Sequence, residues 1–550
     1  MTVPSYEAVR SPHPRCRAPR PRRALTSGHI AIVARSAGFS ADYRSTLALL
    51  ALLSLRSSTL TMLSPSRRLD PRTLASAIWT PDVVPDHRLW LRIDASIAML
   101  FRRFTEPSTE IPRALRRGYQ RLCNNPRVLA ERLAAKSYDS TIEAMRLCSR
   151  VVLAHDSTEI DKVGRAEPDD AGPLRSNAAR GYLLHGATAL DALTGSRLGL
   201  FETTAWTRPW RFTKDADHDK RPPHKRESYK WRRGIRSAVR RAAERGLSLT
   251  LVHALDREGD VHENFTFALR EKHLVIVRAS ADRRVAGAHP MLWATMEAQP
   301  TADTDTIEVP VKVSLKARKA AEKEGQAALQ RFERAVKRAG SRRKVTLELR
   351  YCAVTFDPPK KRKRKPVTVN CVWVSEKNAP SWCEPLEWML LTTCAVNNEA
   401  DAWRVVEEYK LRWGCEDVHK VLKHGFGLEQ DAVDSIESFR RQLAILVPLA
   451  THVMQWTYAA RESPGEAASK HASVAELQLL SLASKHAKLA ETRPPRTLRE
   501  LVHRLATLGG YEFVEGRPPG WQIVWRGWQR LMTFSDIFDF AKSRIQDVSD

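Results

Sequence analysis

A chain of 550 residues, 43% of them apolar, is long enough for a large core with smaller parts around it. Lysine and arginine outnumber aspartate and glutamate 90 to 63, a net charge of +27 that attracts polyanions, nucleic acid foremost. Eight scattered cysteines without a C-x-x-C pair argue against a zinc ribbon or a disulfide framework, and the apolar run Leu47–Leu55 is too short to span a bilayer.

In chain order, residues 1–75 are rich in proline and arginine (PHPRCRAPRPRR) and predict a disordered basic extension. Residues 76–149 read as a small helical domain with basic segments such as Arg113–Leu122. From 150 to 300 the pattern turns mixed. Val151–Leu153 is a short apolar run ending at Asp156, and Gly181–Leu190 and Arg197–Thr204 flank a hairpin loop, Asp191–Ser196. Trp231–Arg245 predicts a basic helix closed by Gly246. Leu247–Leu255 then alternates like a strand and ends at Asp256, and Leu274–Val277 predicts another strand.

Residues 301–398 read as a β-rich insertion with strands Ile307–Leu315, Val345–Phe356, Val367–Val374 and Leu386–Thr393. A charged helical stretch, Ala317–Arg343, and the run KKRKRK (Lys360–Lys365) interrupt it. That run fits either a loop touching a nucleic-acid backbone or a solvated loop. Helices resume at Ala402, so 399–465 returns to the core and 466–550 forms a helical C-terminal region.

The segment around Glu416 has a geometry that follows from about 100° of turn per residue. Leu411, Cys415, Val418 and Leu422 make an apolar stripe for the core. Tyr409, Arg412, Glu416 and Lys423 make a second stripe, within about 60° of one another. Gly414 costs such a helix about 1 kcal/mol relative to alanine, so propensity does not explain it.

The spacing Y-x2-R-x3-E-x6-K, within EYKLRWGCEDVHKVLKHGFGLE, resembles the YREK motif of bacterial insertion-sequence transposases of the IS-four family, and most of all the Tn-five type. VVLAHDSTEID and LVHALDREGDVHENF resemble that family's two aspartate blocks, with Asp156 and Asp256 as the acidic ligands and Asp260 nearby. Arg278 in VIVRAS and Trp388 in PLEWMLLTT are similar to an arginine placed near DNA phosphates and an aromatic that receives a flipped base. The resemblance runs from about Asp86 to the C terminus, without a counterpart for the first 75 or so residues or for Ala317–Arg343.

The resemblance implies an α/β fold: a ribonuclease-H-like mixed-sheet catalytic core with a β-rich insertion, flanked by helical N- and C-terminal domains. It implies a DDE transposase that cleaves and joins DNA, with catalytic Asp156, Asp256 and Glu416 holding two Mg²⁺ (or Mn²⁺) ions. Tyr409, Arg412, Lys423, Arg278 and Trp388 would contact DNA. The implied partners are double-stranded DNA, as inverted-repeat ends and target, and a second copy of the chain in a homodimer, with the C-terminal region 466–550 dimerising. No membrane is implied, and the location is the bacterial cytoplasm at the nucleoid. The alternative is a catalytically inactive DNA-binding relative acting as an inhibitor or regulator.

Overall fold

The computed structural model describes residues 78–102, 111–162, 167–175, 179–209, 221–222, 224, 226–356, 365–513 and 518–549. The extension 1–75 and all of KKRKRK except Lys365 lie outside them. By its contacts the chain divides into residues 63–539 and a second unit of 1–62 with 540–550. Within that second unit only part of the final helix is described.

Residues 63–539 are mixed α/β around one ten-stranded sheet. Among the described residues the α-helices before the sheet are α1 (His87–Arg102), α2 (Arg113–Cys123), α3 (Ala130–Ser137) and α4 (Asp139–Met145). The strands and helices of the next section are β1 (Arg150–Asp161), β2 (Gly172–Pro173), β3 (Arg180–Asp191), β4 (Arg197–Trp206), α5 (Tyr229–Glu244), β5 (Thr250–Leu255), α6 (His262–Glu271) and β6 (Leu274–Arg278). After α7 (Leu292–Glu297) come β7 (Asp303–Pro310), the helical pair α8 (Leu315–Glu324) and α9 (Gln326–Ala339), β8 (Arg342–Phe356), β9 (Val367–Glu376) and β10 (Glu387–Thr392). The chain ends in α10 (Glu399–Lys410), α11 (Gly414–Lys420), α12 (Ile436–Glu462), α13 (Val474–His486), α14 (Leu498–Leu508) and α15 (Trp521–Ser549).

The strand order is β2-β3-β1-β5-β6-β10-β9-β8-β7, with β4 on β3. β1, β5 and β6 run parallel; the other pairings are antiparallel. The β-rich segment therefore extends the central sheet, joined to it where β10 pairs with β6. Alternation along the strands separates two cores. Val152, Val252, Ala254, Ile276, Val372 and Leu390 face α10, against Ala402, Val405 and Tyr409. Leu255, Val275, Val277 and Cys371 face the other way, against Trp231 of α5 and Phe265 of α6.

Several local readings shift for identifiable reasons. Leu247 does not start a strand, because its N–H closes the C-terminus of α5 on the carbonyl of Ala242, with Gly246 at φ 61°. β5 accordingly begins at Thr250. β7 ends at Pro310, not Leu315, because Ser314 caps α8 by accepting from the Ala317 N–H at 3.2 Å.

The strand directions decide which loops share an end of the sheet. Asp256 follows the last residue of β5, and Arg278 ends β6. Pairing of Leu390 with Arg278 puts the start of β10 at that same end. Pairing of Glu387 with Ser375, of Leu347 with Glu376 and of Pro310 with Arg342 adds the end of β9, the start of β8 and the end of β7. The α8–α9 pair thus leaves the sheet at the end where Asp256 sits.

Candidate active site

β1 and β5 are paired in parallel from Arg150 opposite Thr250 to Ala154 opposite Ala254. Two residues further along each chain, the same register brings Asp156 level with Asp256. Because side chains alternate with period two, both carboxylates share the face of Val152, Ala154, Val252 and Ala254, which is the face covered by α10 and α11. Asp156 is not at a strand end as expected. β1 continues to Asp161, because β3 keeps pairing with it after β5 has stopped. Asp256 does end its strand, and its Oδ1 accepts from the Glu258 N–H at 2.8 Å.

The third carboxylate arrives from the helical side. The segment expected to be one α-helix is four elements: α10, a 3₁₀ turn at Leu411–Trp413, α11 and a π turn at Val421–Gly425. The expected apolar stripe packs as read, with Cys415 on Ala154 and Leu190, and Val418 and Leu422 buried. Gly414 has its reason here: a Cβ would stand 2.7 Å from Leu190 Cδ2. Arg412, Glu416 and His419 lie on adjacent turns, which puts Glu416 between two side chains that reach Asp156. His419 Nδ1 is 3.3 Å from Asp156 Oδ2, and the Arg412 guanidinium acts on Asp156 and Asp256. The Glu416 carboxylate makes no hydrogen bond or ion pair with another described residue.

Parity also gathers the remaining candidates. Arg278 and Trp388 fall on the same face as the two aspartates, since Leu390 and Ile276 belong to that core. Trp388 meets the buried Tyr409 ring edge-on at 5.6 Å. Arg278 donates to the Glu387 carbonyl at 2.9 Å. Lys423 is held apart, donating to the Glu159 carbonyl at 2.6 Å and pairing with Glu429 at 3.0 Å. The π turn that carries it breaks the stripe drawn for a regular helix. Asp260 turns away, accepting from Ser280 N–H at 2.7 Å and pairing with Arg283.

The charges are unevenly balanced. Burial raises the pKa of Asp256, and the neighbouring charges of Glu258 and Asp156 add to it. Burial acts on Asp156 as well, but His419, the Ser157 N–H and Arg412 hold it below the usual carboxylate value. Burial opposes the Arg412 charge, yet Tyr409, Cys415, Asp156 and Asp256 keep its pKa above the ordinary one. Two repelling aspartates and an unpartnered glutamate are hard oxygen donors of the kind that Mg²⁺ takes. Among the described residues no three His, Cys, Asp or Glu side chains are grouped to hold a single ion.

Behind the site runs a row of polar side chains, three of them buried histidines. Ser157 Oγ lies 2.9 Å from His185 Nδ1, His185 Nε2 3.1 Å from His155 Nδ1, and His155 Nε2 2.9 Å from His253 Nδ1. The row crosses β3, β1 and β5 inside the protein. Burial pushes all three imidazoles well below the ordinary histidine pKa, so they are neutral. His419 was missed altogether; its signal was the position three residues after Glu416, on the same helix face. No protein-family model matches the chain.

Proposed function

We propose that this chain is a DDE transposase, a metal-dependent enzyme that cleaves DNA at the ends of an insertion sequence and joins it to a target. On this reading the sheet and its helices are a ribonuclease-H-like core. The observation that carries the proposal is the in-phase register of β1 and β5, which sets Asp156 and Asp256 level on the face that receives the Glu416 helix. Asp156, Asp256 and Glu416 are the residues that would hold divalent metal, Mg²⁺ or Mn²⁺. Metal bound there supplies an activated oxygen nucleophile and charge neutralisation at the phosphate.

The chain's own side chains do the rest. Arg412 presents a guanidinium beside both aspartates, suited to a bidentate grip on a phosphate next to the scissile one. Arg278 brings a second cation on the same face, and the Tyr409 hydroxyl lies near both arginines. Trp388 offers an aromatic surface for an unstacked base. His419 holds Asp156 in the arrangement described and orients its carboxylate. Lys423 braces β1 through the Glu159 carbonyl, and a phosphate contact by it requires that brace to open. The excess of basic residues favours duplex DNA as partner, inverted repeats first and target second. The C-terminal helices are assigned to a homodimer bridging two ends. Its place is the nucleoid; no described helix is long and apolar enough to cross a membrane.

The test is cleavage of a duplex carrying the inverted repeat that flanks the gene, with Mg²⁺ or with EDTA. Wild type is run beside Asp256→Ala at matched DNA binding. Metal-dependent nicking at the repeat boundary, lost in the variant, is the expected result. Binding without cutting by either protein would make the inactive DNA-binding relative the better account.

A further inference from the structure

The helical pair α8–α9 is inserted between two strands that remain paired to their last residues, Pro310 opposite Arg342. It carries many charges, and they are sorted. At about 100° per residue, Lys316, Lys319 and Lys323 occupy one arc of about 60° on α8. Arg331, Arg334 and Arg338 occupy an arc of the same width on α9. All six are exposed. Glu322 and Glu333 lie outside these arcs, and Arg318 on another side of α8 pairs with Glu322 at 3.2 Å. None of the six stripe cations pairs with a carboxylate among the described residues.

A helix that merely needs solvation mixes its charges and pairs them at i,i+4. Two helices that each reserve a face for such cations present positive surface that no carboxylate matches among the described residues. The strand directions place it at the end of the sheet where Asp256, Arg278 and Trp388 sit. Phe356 and Val367, which flank the run KKRKRK in the sequence, pair at the opposite end of the sheet. Four or five strand spacings separate β5 from β8 and β7, about 19–24 Å at about 4.8 Å each. At about 3.4 Å per base pair that is roughly six or seven base pairs of duplex.

We propose that the α8–α9 pair is a backbone clamp: its lysine and arginine faces bind the phosphates of duplex DNA about six or more base pairs from the phosphate at the carboxylates. This rests on the reading of the site as one that cuts DNA. The clamp reads no base sequence, since it touches phosphates alone.

The experiment uses the full chain and its sixfold variant K316Q/K319Q/K323Q/R331Q/R334Q/R338Q; glutamine keeps helix propensity close to that of lysine and arginine. Binding to a long duplex containing the cleavage point is measured across a range of salt concentrations. Every phosphate that the variant no longer neutralises lowers the slope of log K against log salt by about 0.9, so a fall of about 3 or more is expected. On a duplex truncated about four base pairs from the cleavage point on one flank, the two proteins should bind alike, because that distance falls short of the strand spacing. A slope change smaller than about one, or a difference that survives truncation of both flanks, overturns the clamp. If the sixfold variant does not fold, the two threefold variants, one per helix, make the same measurement. Nicking by the wild type is scored separately. Intact nicking with an unmoved slope removes the clamp alone, whereas absent nicking removes the catalytic reading whatever the slope does.

Discussion

One buried ion pair ties β1 to α10, the helix that leads into the glutamate segment, and removing it should show. Arg150 opens β1, six residues before Asp156, and Glu408 precedes Tyr409 in α10. The pair is two-pronged, Nε to Oε1 at 2.5 Å and Nη2 to Oε2 at 3.1 Å. The Glu408 side chain is 2% exposed and that of Arg150 26%. Breaking a buried pair by removing one partner costs about 3–5 kcal/mol, because the other charge stays behind. Arg150 keeps some water, so Glu408→Ala should fall at the low end, about 3 kcal/mol. Replacing both, as Arg150→Met with Glu408→Leu, removes the stranded charge and should cost about 1 kcal/mol or less. Urea unfolding followed by circular dichroism reads both through the midpoint at constant m. A cost below about 1 kcal/mol for Glu408→Ala, or a double variant that costs the sum of the two single ones, would refute this role for the pair.

Two other outcomes follow from the same physics. Glu376, at the end of β9, pairs with Arg343 and accepts from the Leu386 N–H at 3.0 Å. Burial opposes its charge, but Arg343 and Leu386 hold its pKa below the ordinary 4.5. Its contribution is therefore complete above that value and is lost as pH falls through the depressed one. Stability should drop as pH falls from about 4.5 through the depressed pKa, by an amount that Glu376→Gln no longer shows, while equal pH dependence in both proteins would contradict the assignment. On the proposed reading, in which excision passes through a DNA hairpin as in the family that the motifs resemble, stacking of Trp388 on a base contributes about 1–3 kcal/mol, so Trp388→Ala should slow hairpin formation roughly five- to 150-fold more than first-strand nicking. Equal losses in the two steps would count against its role.

The parts of the site legible in the sequence were those written in local pattern. The apolar stripe through Cys415, Val418 and Leu422 needed only helix periodicity, and Gly414 stood out as a residue that helix propensity does not explain. The hairpin at Asp191–Ser196 and the helix end at Gly246 were equally local. What escaped depends on distant pairing. That β1 continues past Asp156 follows from β3, some thirty residues on. That the β-rich segment joins the central sheet follows from β10 meeting β6, more than a hundred residues apart in sequence. The Arg150–Glu408 pair and the His419–Asp156 contact each span more than 250 residues of sequence, and neither residue type announces its partner. The break of the glutamate segment into 3₁₀, α and π turns was hidden for the opposite reason. It is local, but the arithmetic of a regular helix does not describe it.

The row of imidazoles behind Asp156 has a property that belongs to none of its members. A neutral histidine donates from one nitrogen and accepts at the other, so its two sides are never alike. If Ser157 donates to His185, then His185 must donate to His155, and His155 to His253. If His253 donates first, every proton in the row points the other way. Only these two orderings satisfy all three hydrogen bonds; any mixture sets two protons against each other or leaves two lone pairs facing. The sheet therefore stores a two-valued polarity across three strands with no backbone displacement, and the Ser157 hydroxyl beside Asp156 is a donor in one value and an acceptor in the other.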